Sequence, residues 1–434
     1  MNEYFCIIEN KIKKNHIPAF KSFLKWVVIG ITMGILLGII GTLFYYGIES
    51  AAYFRNRHTY IIWLLPLSGA VIVYFYNAMG YRHDKGTNLV LLAVRDNKKM
   101  GYKHTICIFV ASIITHLFGG SSGREGAALQ IGGSIGSQLG RVMNLDDDDK
   151  RILTMCGISA AFSSIFCTPI TAAFFAMEVV SIGIFYYSAI VPCVISAITA
   201  QCVSEYFGVK GFELTVNVPE FGVLNFSKIL LLSVLCAGLS YVFCTTMKYA
   251  SILYKKIKNQ TLRAMTGGFI VSVLTFAIGS FDYNGTGGNI ITDAFSEPSK
   301  PYAFILKLIF TALTLCAGFK GGEIVPVFFI GATFGSVFAE FTSMDCSIGA
   351  AVGMIALFCG VTNCPIASLL MSLELFGSNG IIYYAIACAV GYMLSGYQGL
   401  YAEQKIVYSK FKTRFINRKT GSRPSDDSTT KYIS

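Results

Sequence analysis

The feature that most constrains the fold is that the chain repeats its own pattern. Segments 157–170 and 353–366 share Gly157/Gly353, Ala160/Ala356, Phe162/Phe358 and a Pro-Ile pair, Pro169-Ile170 and Pro365-Ile366, at an offset of 196. A glutamate stands nine residues beyond each proline, Glu178 and Glu374. Upstream, Ile131-Gly132 and Gly136-Ser137 match Ile330-Gly331 and Gly335-Ser336 at an offset of 199. Further upstream, Asn88-Leu89-Val90 matches Asn289-Ile290-Ile291 at an offset of 201. Collinear matches with small drift define two related halves.

The solvent of those halves follows from composition. The chain is 54% hydrophobic and 14% charged, against about 25% charged in an ordinary soluble domain. Trp26–Ile48 carries no charge and exceeds the roughly 20 residues a spanning helix needs. It lies too far in, and runs too long, for a cleaved leader. Later apolar segments such as 268–278, 303–317, 326–341, 348–360 and 365–376 are shorter, and most of them begin with or contain Gly or Pro. Discontinuous helices of transporters have that look, and their sites sit where the repeats meet. The organisation expected is a basic amphipathic N-terminus (1–25), a first membrane repeat (26–206), a linker (207–225), a second repeat (226–402) and a basic tail (403–434). The net charge of +11 concentrates at the ends, in Lys11, Lys13, Lys14, Lys21 and Lys25 and again from Lys405 to Arg423. The positive-inside rule puts both ends in the cytoplasm and makes the number of full crossings even. Basic ends that flank lipid-facing segments call for no nucleic-acid partner.

The chemistry is expected at one turn, Gly119 to Gly126, which carries Arg124 and Glu125 and is followed by fourteen uncharged residues. Ionisable groups at membrane depth are costly and are retained for use. Under the repeat this turn faces Gly318 to Glu323, which supplies a second carboxylate. Helix N-termini with unpaired N–H groups bind anions without a full cation. Glu125 at such a terminus competes with a substrate anion, and protonation releases it. Arg124 reads as a structural partner, and Glu178 and Glu374 read as bonds to backbone at a helix break. The half-helix 89–94 should open at Thr87 or Asn88, both good N-caps. His116, in an apolar run, should bond locally. The 13 cysteines sit mostly in apolar runs without C-x-x-C spacing, so no disulfide, zinc site or other cofactor is expected. Walker, dinucleotide, H-E-x-x-H and nucleophile-elbow patterns are absent, and the chain does not read as an enzyme.

With these motifs in place, the chain resembles the CLC family of anion channels and anion/proton antiporters from about residue 26 to 402. Gly123-Arg124-Glu125-Gly126 is similar to the family's gating-glutamate motif. Segments 157–169 and 321–326 are similar to two further motifs, and Tyr401 falls at the anion-coordinating tyrosine. The resemblance implies an all-α polytopic membrane protein with CLC-type inverted-topology repeats and many tilted, discontinuous helices. It also implies a homodimer with one pathway per subunit.

Three departures point to one branch. Chloride-transporting members have a Gly-Ser-Gly-Ile-Pro loop, where this chain has Gly86-Thr87-Asn88-Leu89-Val90. They have an apolar residue where this chain has Glu323. Their antiporters carry an inner glutamate where this chain has Val179. The fluoride/proton antiporters of the family typically have Gly-x-Asn-Leu and Gly-Gly-Glu, although Thr87 replaces their usual Asn or Met. The resemblance therefore implies fluoride export coupled to proton entry, at the cell (inner) membrane, as resistance to environmental fluoride. Glu125 is the gate and Glu323 the second ion-proton carboxylate. Thr87, Asn88, Gly123, Arg124, Gly126, Gly322, Ile324, Val325 and Tyr401 line the anion path. A chloride channel or chloride/proton antiporter is the first alternative. A non-transporting receptor or scaffold is the second, and would be expected to append a soluble domain where this chain has only residues 403–434.

Overall fold

Among the described residues, two chain-matched sets of eight α-helices build the molecule. The structure is a computed structural model that describes residues 2–82, 84–212 and 214–421. The first half contains α1 (Asn2–Arg57), α2 (Leu65–Ala78), α3 (Thr87–Asp96), α4 (Tyr102–Leu117), α5 (Glu125–Val142), α6 (Asp147–Phe166), α7 (Pro169–Glu178) and α8 (Ile190–Tyr206). The second contains α9 (Val223–Lys255), α10 (Gln260–Ile278), α11 (Gly288–Ser296), α12 (Ala303–Ala317), α13 (Ile324–Thr342), α14 (Cys346–Thr362), α15 (Pro365–Phe376) and α16 (Ile381–Leu394). The repeat seen in the sequence is thus a repeat of whole elements, and the short helices α3 and α11 occupy equivalent places.

The same residues start and stop equivalent helices. Asp146 caps α6 by accepting from the Asp149 N–H at 2.8 Å, and Asp345 caps α14 by accepting from Ser347 N–H at 2.8 Å. Such caps satisfy N–H groups that have no partner within the helix. α6 ends on Cys167 and α14 on Asn363, each left-handed with φ of 58°. Two residues on, Pro169 and Pro365 open the next helices at the one position where proline fits. Glycines bring α13 and α14 into backbone contact: a Cβ on Gly331 would lie 2.5 Å from the Gly353 carbonyl oxygen. Gly132 and Gly157 make the matching approach between α5 and α6.

Among the described residues, six helices are long and apolar enough to cross a membrane, beginning with Ala19–Arg57, and five shorter apolar helices of 10–17 residues accompany them. Their outer faces carry exposed Val28, Leu43, Leu67, Leu231 and Phe269, which suits lipid as solvent. Two expectations change in detail. The basic N-terminal stretch is not a separate helix but the start of α1, and Lys25 forms an ion pair with Asp149. Part of the C-terminal tail folds back on the body. There β2 (Lys405–Tyr408) pairs in parallel with β1 (Ser181–Ile182) and antiparallel with β3 (Phe415–Lys419). Arg423 and the rest of 422–434 lie outside the described residues. The described linker residues 207–212 and 214–222 form no helix or strand; Val209 and Gly211 lie against Cys167 of the first half, and the Asn217 N–H donates to Ser347 Oγ of the second at 2.9 Å.

Candidate anion site

The two glycine turns of the repeat meet face to face. Gly123 N–H donates to the Gly322 carbonyl at 2.7 Å, and Gly322 N–H donates to the Gly123 carbonyl at 2.6 Å. This isolated antiparallel bridge joins residues equivalent under the 199 offset, so a local two-fold axis passes between them. Side chains are excluded there: a Cβ on Gly126 would lie 2.8 Å from Gly322 Cα. The bridge sets the N-termini of α5 and α13 side by side, with their positive dipole ends together.

Glu125, the first residue of α5, is fully enclosed. Its carboxylate folds back over Gly123, where an added Cβ would strike Oε2. It faces the backbone N–H groups of Arg124, Glu125 and Val325, but none is close and straight enough to complete a hydrogen bond. The nearest cation is Arg124, whose Nε lies 3.7 Å from Oε1. Glu323, the N-cap of α13, is half-buried, and its Oε2 is enclosed without a partner. That oxygen would lie 3.3 Å from a Cβ on Gly126, so the two carboxylates flank one bridge.

Tyr401 is buried in the same region, close enough for both glutamates to act on it electrostatically, and its hydroxyl has no partner. The backbone around it is pinned. Thr420 Oγ1 donates to the Tyr401 carbonyl at 2.5 Å, and the Gln404 amide donates to Val179 and Thr362 carbonyls at 2.9 and 2.8 Å. A polar group buried without a partner is costly. Several such groups around one spot mark a place built for something that is neither side chain nor lipid.

The expected line of residues does not all fall in one place. Glu125, Glu323, Gly123, Gly126, Gly322, Ile324, Val325 and Tyr401 gather at the bridge, Ile324 and Val325 being the first residues of α13. Thr87 begins α3 and reaches them through Gln130. The Gln130 amide donates to the Gly126 carbonyl at 3.0 Å and Thr87 Oγ1 at 3.4 Å, leaving its own oxygen enclosed and unpartnered. Asn88 faces another way: its Oδ1 accepts from Glu403 N–H at 2.9 Å and ties the Tyr401 turn to α3. Arg124 points outward, 3.2 Å from Glu49 and over the Tyr45 ring at 4.6 Å. There it lines a pocket of about 180 Å³ with Lys210 and Val325.

Sequence reasoning did not single out Gln130, because a lone glutamine inside a helix carries no pattern. It lies four residues past Gly126, one turn along the same face. Glu178 and Glu374 are placed as expected, away from the bridge. Glu178 accepts from Ile366 and Ala367 N–H at 3.2 and 2.8 Å, and Glu374 from Ile170 and Thr171 N–H at 2.9 and 2.8 Å. His116 does sit in local contact, with Nδ1 2.8 Å from the Ser112 carbonyl and Nε2 3.1 Å from the Ser122 carbonyl. Among the described residues no cluster suits a metal ion.

Comparison with known proteins agrees with this geometry. Residues 68–396 match the family model described as voltage gated chloride channel. A chloride/fluoride channel protein of Pseudomonas syringae pv. tomato is 34% identical over 399 residues, covering 89% of this chain and 87% of that protein. The crystal structure of a CLC-type fluoride/proton antiporter superposes with a TM-score of 0.83 at 30% identity, over 86% of this chain and 95% of that one. An H(+)/Cl(-) exchange transporter ClcA of Vibrio campbellii is 27% identical over 305 residues, 65% of this chain and 64% of that protein.

Proposed function

The chain belongs to the voltage-gated chloride channel (CLC) family of multi-pass membrane proteins that move anions and protons, and within it we propose that this protein exchanges fluoride for protons. It exports fluoride as protons enter, and so protects the cell from environmental fluoride. The observation that carries the reading is the second carboxylate, Glu323, set beside Glu125 across the Gly123–Gly322 bridge. The fluoride/proton antiporter whose structure matches and the chloride/fluoride relative support it.

The geometry suits that task. Fluoride is small, strongly hydrated and an avid hydrogen-bond acceptor. The N–H groups at the start of α5 and α13, the Tyr401 hydroxyl and the Thr87 hydroxyl can replace its water. Charged, the Glu125 carboxylate occupies the space those N–H groups would offer an anion. A proton on it removes the competing charge, turns the carboxyl into a donor, and lets fluoride enter. Glu323 offers the proton and the ion a second carboxyl on the same path. Because one group answers to both ions, their movements are coupled. The Val179 carbonyl is bonded to Gln404, and the proton route proposed here uses the two glutamates at the bridge. The working unit is a homodimer with a pathway in each subunit and both termini cytoplasmic.

Reconstituted liposomes test the anion preference. Fluoride efflux should exceed chloride efflux by an order of magnitude or more and should speed up when a proton gradient is imposed. Equal fluxes, or faster chloride, would assign the protein to the chloride transporters that the ClcA relative represents.

A further inference from the structure

At the end of the bundle where α2 stops and α10 starts lies a cavity of about 590 Å³ that reaches Gly318, Phe319 and Lys320 of the second glycine turn. The positive-inside rule assigns this end to the cytoplasm. Arg82, Lys85, Lys255, Lys258, Arg263 and Lys320 line it, with Asp84 as the one carboxylate among its described residues. Asp84 is already engaged: Lys320 Nζ donates to it at 2.7 Å and His104 Nε2 lies 3.1 Å away. Lys85 lies 3.7 Å from Glu403. Among the described residues, no carboxylate forms an ion pair with Arg82, Lys255, Lys258 or Arg263.

One further observation points to an occupant. Arg263 Nε and the hydroxyl of buried Tyr76, both residues lining the cavity, are enclosed without partners. The N-terminus of the 19-residue helix α10 lies beside them, capped by Asn259 Oδ1, which accepts from the Thr261 and Leu262 N–H groups at 2.9 and 3.3 Å, and the Gln260 amide donates to the Arg82 carbonyl at 2.9 Å. A second pocket of about 520 Å³ continues from Arg82, Lys258 and Gln260.

Four cations that share a cavity repel one another unless an anion of matching valence lies among them. A halide is too small to span the space and too weakly charged to balance it. A phosphate group carries more charge and several acceptor oxygens, and arginine forks match it. One wall is apolar, formed by Ile72, Val73 and Leu315. On α2 it adjoins Leu67 and Val71, which are exposed on the lipid side. Polar at the cytoplasmic end and apolar toward the bilayer, the cavity has the character of headgroup pockets between membrane helices. We propose that it binds a phosphate-bearing anion, the headgroup of an anionic phospholipid fitting it best.

The test compares the full-length protein with a Lys258→Gln/Arg263→Gln variant. One arm measures retention of phosphatidylglycerol against phosphatidylcholine by native mass spectrometry. The other measures thermal stabilisation by inorganic pyrophosphate. Wild type should retain phosphatidylglycerol about thirtyfold more than the variant, given about 1 kcal/mol for each of the two basic residues near an anionic surface. Stabilisation by pyrophosphate alone, absent in the variant, would assign the site to a soluble phosphate ester. If the variant misfolds, Tyr76→Phe and Lys255→Gln provide the comparison. The proposal is overturned if neither probe separates wild type from variant. It is also overturned if the variant slows fluoride flux severalfold in phosphatidylcholine liposomes, which would make the cavity an inlet for the transported ion.

Discussion

Glu125 and Glu323 are both charged residues at the mouth of an apolar helix, and it is the small residues around them that make the pair possible. Gly126 has room for hydrogen only, with Gly322 Cα and Glu323 Oε2 at 2.8 and 3.3 Å from any Cβ. Gly126→Ala should force the turns apart, cost about 1–3 kcal/mol as overpacking does, and abolish fluoride flux in whatever protein still folds. Gly238→Ala is the control, since a Cβ there meets nothing within 4 Å and alanine favours a helix. Its melting temperature and flux should stay at or above wild type. Glu125 and Glu323 were legible in the sequence because charge is rare there. Gln130 was not, because its relevance comes from Thr87 on another helix, a contact no local pattern encodes.

Between elements, the repeat is locked by an exchange of carboxylates. Glu178 at the end of α7 caps α15, and Glu374 on α15 caps α7, each through two N–H groups. Replacing either by glutamine removes the charge and one acceptor, and should cost about 1–3 kcal/mol. The two variants should lower the melting temperature in detergent by similar amounts and leave proton-coupled flux intact. A silent Glu374→Gln beside a damaging Glu178→Gln would show that the exchange is not balanced. Asp84 joins the loop before α3 to Lys320 in the second glycine turn. Burial alone would raise its carboxyl, but Lys320 and His104 outweigh burial and hold it below the usual range. Its stabilising contribution is therefore full above the unfolded value of about 3.9 and is lost as pH falls through the lower folded value. Wild type should lose melting temperature below about pH 4 more steeply than Asp84→Asn. Equal slopes would remove Asp84 from the acid response.

Across the whole molecule, the sequence repeat reached as far as local chemistry does. Gly157–Pro169 and Gly353–Pro365 announced paired helices because the same residues cap, pack and stop them in both halves. The ends were less legible. The basic start of α1 reads as a separate helix, yet nothing in it breaks the backbone before the first span. The pairing of Lys405–Tyr408 with Ser181–Ile182 joins residues too distant for any period to reveal. In the proposed exchange, an anion and a proton answer to the same carboxylate at the glycine bridge. The most direct measurement loads liposomes with fluoride, clamps the voltage, and follows external pH as fluoride leaves. Wild type should draw protons inward against an opposing pH gradient, and Glu125→Gln should not. Fluoride efflux with no proton movement in wild type, or unchanged coupling in the variant, would contradict proton-coupled exchange through Glu125.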